Sequence, residues 1–131
     1  MKIENQITNL ELSKKLKEFG VKQESAFYWR KYNFAKKPHV FYFADTDRKK
    51  IDLAILSGKL EFEYSAFSVA ELGEMLPEPA KTWRGKYIDE EESTYFCEFH
   101  DHEEEADTEA NARAKMLIYL IEHKLLDPKK I

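Results

Sequence analysis

The one stretch whose side chains could ligate a metal runs from Cys97 to Glu103, with Cys97, His100 and His102 in a Cys-x-x-His-x-His pattern and Asp101 and Glu103 interleaved. Zinc accepts thiolate, imidazole and carboxylate donors. The spacing matches no closed four-ligand arrangement, however. Alternation along a strand would also send Cys97 and His100 to opposite faces. The expectation is therefore a single buried cysteine followed by a polar strand end, with no metal and no other cofactor.

A second kind of chemistry is suggested by the segment around residues 25–44. If Ser25–Tyr32 and His39–Ala44 are paired strands, Tyr28, Arg30, Tyr32 and Tyr42 are expected on one sheet face, close to Lys31, Lys36 and Lys37. Aromatic rings interleaved with cations can stack planar ligands and neutralise phosphates. The competing expectation is that helices cover this face and the tyrosines pack beneath them, with hydroxyls at the rim. Paired acids occur at Glu90–Glu92 and Glu103–Glu105. They fall in expected surface loops, without the burial or fixed neighbour that moves a carboxyl pKa towards catalysis. No nucleophile elbow, glycine-rich phosphate loop or H-E-x-x-H helix is present, so the reading is non-enzymatic.

The elements that must hold these residues follow from periodicity. Thr8 and Glu11 fit a capping box ahead of Leu12, Leu16 and Phe19, which predicts a helix over about 9–19, closed by Gly20 with Val21 folding back. Residues 51–64 fit either a helix or a strand, with a short strand plausible at 60–64. Ser68 and Glu71 form a second capping box, Phe67 and Leu72 a staple, and Pro77 a stop, giving a helix over about 69–76. Thr82–Ile88 and Thr94–His100 read as a hairpin joined through residues 89–93, with Tyr95, Cys97 and Phe99 on one face. Asp107 and Thr108 cap a last helix marked by Ala110, Ala114, Leu117 and Ile121. The order α-ββ-(β)-α-ββ-α implies one α+β domain: an antiparallel sheet of four or five strands with two or three helices packed on it. It also admits a degenerate α-β-β repeat.

The 131 residues suit one domain with a core of its own, at 43% hydrophobic and 14% aromatic content. A single cysteine excludes an internal disulfide and fits a reducing compartment. The first ten residues lack an apolar segment and no run approaches a membrane span, so neither signal peptide nor membrane contact is expected. Net charge is −4, but it is unevenly placed. Residues 1–60 carry 13 basic against 7 acidic side chains, and residues 61–131 carry 8 against 18. Such a chain can present one basic and one acidic region to a protein partner or to itself. Its overall acidity argues against nucleic acid.

Leu10–Leu16 with Phe27-Tyr28-Trp29, Ser65–Pro77 and Ala106–Leu117 together resemble, in the same order, a group of uncharacterised bacteriophage and prophage proteins. These segments are helix caps and core faces. The resemblance thus implies a fold, a phage or prophage origin and a bacterial host cytoplasm, and it brings no functional residues. The expectation is a phage accessory protein acting through protein–protein contacts, self-association included. The alternatives are a small-ligand or nucleotide-binding module antagonising host defence and, on the Cys97–Glu103 segment alone, a metal-dependent enzyme.

Overall fold

A computed structural model describes residues 2–78, 80–86 and 92–131, apart from the Asp45 side chain. Within them the order is α1 (Leu10–Glu18), β1 (Phe27–Tyr32), β2 (His39–Tyr42), α2 (Arg48–Leu56), β3 (Leu60–Ala66), α3 (Val69–Met75), β4 (Lys81–Gly85), β5 (Thr94–Phe99), β6 (His102–Ala106) and α4 (Glu109–Glu122), with three short 3-10 turns. The class is α+β, as expected. Instead of one sheet of four or five strands there are two antiparallel sheets of three, ordered β2-β1-β3 and β4-β5-β6. In each half a helix leads into an antiparallel pair, β1-β2 and β4-β5, and the third strand adds beside β1 in the first sheet and beside β5 in the second.

The sheets are separate because helices stand where a continuous sheet would need strand pairs. Leu12 and Leu16 of α1, Leu72 of α3, and Ala110, Ala114, Leu117 and Ile118 of α4 close on Phe67 to form the main core. The other side of α4 packs Ala112, Met116 and Leu120 against Cys97, Tyr95 and Phe99 of β5. Alanines at 110, 112 and 114 let the start of α4 approach both neighbours closely.

Local signals set most helix ends. The Ser68–Glu71 capping box forms in both directions, and both members of its staple, Phe67 and Leu72, are fully buried. Gly20 has φ 89°, and Val21 N donates to Leu16 O at 3.0 Å. A left-handed glycine just past the last turn is what this closure requires. The first cap differs by one residue. Asn9 accepts from Leu12 N, whereas Thr8 is drawn into the interior by the Ile7–Ser68 bridge. There its hydroxyl accepts from Phe67 N and meets Ser13 Oγ at 2.7 Å.

The undecided residues 51–64 divide cleanly. Asp47 caps α2 through the N–H groups of Lys49 and Lys50, Gly58 turns the chain at φ 76°, and β3 runs to Ala66. The acidic residues Glu103–Glu105, expected in a surface loop, lie in a sixth strand. It is reached through His100, which adopts the left-handed φ of 54°; such a residue suits a tight hairpin turn. The connection expected at residues 89–93 lies mostly outside the described residues.

Candidate functional site

Register decides which aromatic side chains of the first sheet can act together. β1 pairs with β2 so that Phe27 opposes Tyr42, Tyr28 opposes Phe41 and Arg30 opposes His39. Opposed residues share a face. Tyr42 therefore lies with Phe27 and Trp29, on the side opposite Tyr28 and Arg30. The expected single-face set of Tyr28, Arg30, Tyr32 and Tyr42 is divided by the sheet.

The Tyr28 and Arg30 face is closed. Tyr28 and Arg30 are 4% and 3% exposed. Arg30 Nε donates to Glu63 Oε2 at 2.7 Å, and its Nη2 donates to the Thr46 hydroxyl at 3.1 Å. The guanidinium carbon stands 5.2 Å from the centre of the Tyr28 ring and 5.3 Å from that of Phe41. From α2, Arg48 donates to the other Glu63 oxygen at 2.8 Å and to Asp52 at 3.1 Å. Burial lowers the pKa of Arg48, but Glu63 and Asp52 outweigh it and hold the guanidinium above its ordinary value. Arg30 is thus a buried cation satisfied by carboxylate, hydroxyl and rings. Tyr32 stacks on exposed Phe34 at the sheet end, with centroids 5.4 Å apart. Among the described residues, Tyr28, Arg30 and Tyr42 line no common cleft: the first two are buried and the third lies on the other face.

The opposite face carries the aromatic surface that sequence reading missed. Phe27, Trp29 and Lys31 run down its centre, Val40 and Tyr42 lie on one side, and Phe62 and Tyr64 on the other. Phe62 and Tyr64 stack at 4.8 Å and 18°, and Phe27 meets Tyr42 at 5.1 Å. Helix α1 covers part of the face only. Trp29 Nε1 donates to Thr8 O at 2.9 Å, and Lys17 Nζ sits 5.4 Å from the Tyr64 ring centre. Beyond these contacts a groove of about 620 Å³ opens between α1 and Phe62–Tyr64, and Tyr42 remains 53% exposed. The arrangement can bury flat apolar surface, with charges of both signs, Lys14 and Lys17 beside Glu11 and Glu61, at its rim.

The Cys97–Glu103 segment forms no ligand cluster. Cys97 is fully buried against α4, and its thiol is pushed above the usual range by burial, with Thr82 and Arg113 pulling weakly the other way. His100 occupies the exposed turn. The His102 ring lies flat on Tyr119 at 3.4 Å, with Nε2 3.4 Å from Glu104. Among the described residues, no three His, Cys, Asp or Glu side chains converge closely enough to hold a metal ion.

No helix among the described residues is long and apolar enough to cross a membrane. In comparisons with known proteins, no protein-family model, no curated protein and no solved structure matches the chain.

Proposed function

We propose that this chain is a non-enzymatic binding protein that works through protein–protein contacts made by the open face of the β2-β1-β3 sheet. The observation that carries the reading is the row formed by Phe27, Trp29, Tyr42, Phe62 and Tyr64, left partly uncovered by α1. Aromatic side chains are enriched at the centres of protein interfaces, where a few of them supply most of the binding energy. A contiguous apolar patch on a small domain commonly marks such a surface. The sequence resemblance to phage and prophage proteins supports an accessory role in an infected or lysogenic bacterial cytoplasm. The small-ligand alternative loses its motivation with the closing of the Tyr28–Arg30 face.

The test compares the wild-type chain with a Tyr42→Ser, Phe62→Ser double variant, both shown to be folded by circular dichroism and immobilised in bacterial lysate. The reading expects defined proteins recovered by the wild type and depleted at least about tenfold on the variant, the scale of one or two lost interface anchors. Equal recovery on both, or turnover of a substrate in a broad activity screen, overturns it.

A further inference from the structure

The second sheet ends on β6, and on its outer side no further strand lies among the described residues. That edge opens into a trough of about 970 Å³, floored by α4 and walled on the far side by α1. Ile118 and Tyr119 form the apolar part of the floor. Lys115 Nζ donates to the backbone oxygen of Glu105 at 2.8 Å. The carbonyl of Glu105 therefore points away from β5 and into reach of α4. Alternation along an antiparallel pair aims the backbone of Glu103 the same way. A lysine ammonium on an edge carbonyl occupies the place that the N–H of an added strand would take.

The walls select the occupant. Among the described residues lining the trough, the carboxylates of Glu11 on α1, Glu103, Glu104 and Glu105 on β6, and Glu122 on α4 stand against the ammonium groups of Lys15 and Lys115. Lys15 is already 4.0 Å from Glu11. A strand laid against β6 would thus lie between carboxylates, over Ile118 and Tyr119.

We propose that the outer edge of β6 accepts an extended, lysine- or arginine-bearing segment of a partner protein as a fourth strand, held by backbone hydrogen bonds and by the acidic walls of the trough. Strand addition to an exposed edge draws affinity from the main chain and specificity from alternate side chains. Positive alternate residues meet Glu103, and apolar ones meet the α4 floor. This inference rests on the reading of the chain as a protein-binding module, but it uses a different surface from the aromatic face.

The probe is a fluorescent hexapeptide alternating lysine and valine, titrated by anisotropy against the full chain. Its controls are the glutamate–valine counterpart and a lysine–valine peptide N-methylated on alternate residues. The expected result is saturable binding with Kd below about 1 mM, weakened at high salt and lost with both controls. Amide NMR shifts should fall on residues 103–106 and on Ile118 and Tyr119. Glu103→Lys with Glu105→Lys should weaken binding at least about tenfold, whereas Lys115→Ala should strengthen it severalfold by vacating the carbonyl and removing a positive charge. The Tyr42→Ser, Phe62→Ser variant should bind the peptide like the wild type. Equal binding of the N-methylated peptide, shifts confined to another surface, or no saturation overturns the proposal. Any of these outcomes leaves lysate capture by the aromatic face standing, so the two readings fail separately.

Discussion

Replacing Glu63 by glutamine tests whether Arg30 is a structural cation or a ligand-binding one. The Glu63 side chain is 12% exposed and bridges Arg30, at 3%, and Arg48, at 41%. The amide keeps the shape of the carboxylate but removes the charge, and turns an NH2 towards one of two guanidinium donors. Arg48 can turn to water and to Asp52. Arg30 cannot, because Tyr28 and Phe41 enclose it. Leaving one member of a buried pair uncompensated costs about 3–5 kcal/mol. With a urea slope near 2 kcal/mol/M for a chain of this size, the unfolding midpoint should fall by roughly 2 M. The internal reference is Glu61→Gln, which breaks the Lys31–Glu61 pair. That pair is as short, at 2.6 Å, but its side chains are 21% and 52% exposed. It should cost about 0.2–1 kcal/mol, a midpoint shift of at most about 0.5 M, and fade further with added salt. Replacing Arg30 and Glu63 together by methionine should recover much of the Glu63→Gln loss, since an apolar pair leaves no orphaned charge. The reasoning is refuted if Glu63→Gln and Glu61→Gln shift the midpoint alike.

Two further outcomes are expected. Cys97, buried with its thiol pKa raised, should resist a thiol reagent in the native protein and react at once in urea. Because the folded thiol holds its proton to higher pH than the unfolded one, its stabilising contribution is complete below about pH 8.5 and declines above it; Cys97→Ala should lose that alkaline decline in urea titrations, and a decline unchanged in the variant would assign it elsewhere. Asn111 is 4% exposed; its Oδ1 accepts from Asn9 N at 2.9 Å and its Nδ2 donates to Asp107 at 3.1 Å. Asn111→Ala should therefore cost about 1 kcal/mol by removing both hydrogen bonds, measured by the same urea titration, and Asn111→Asp, which keeps the acceptor for Asn9 N but sets a second carboxylate beside Asp107, should recover only part of that loss.

What could be read from sequence was local, and what could not was relative. The Ser68–Glu71 box, the Gly20 closure and the inward set Tyr95, Cys97 and Phe99 each depend on residues within one turn or one strand. Alternation likewise assigns faces within a strand, but it carries no phase from one strand to the next. That phase is fixed by the connection through residues 33–38 and by Phe43 N donating to Ala26 O at 2.8 Å. A shift of one residue in that register would have put Tyr42 beside Tyr28. Helix α2 had a sequence signal in Asp47, which caps it through two backbone N–H groups. Its exposed Leu53 and Leu56 obscured the helical stripe, leaving Ile51 as its single buried residue.

The sixth strand shows why charge misled. Three consecutive glutamates read as solvated loop, because strand formers are expected to be β-branched or aromatic. In the structure Glu103 and Glu105 are exposed while His102, Glu104 and Ala106 are half-buried, an alternation more regular than that of β5. Carboxylates on the open side of an edge strand also discourage two copies of that edge from pairing with each other. The acidity that hid β6 from a reading by propensity thus restricts its outer edge to strands of opposite charge. Metal chemistry in this segment gave way to the same geometry: the hairpin returns His102 to the face of Cys97, but it leaves His100 in the exposed turn, Cys97 packed under α4 and His102 stacked on Tyr119.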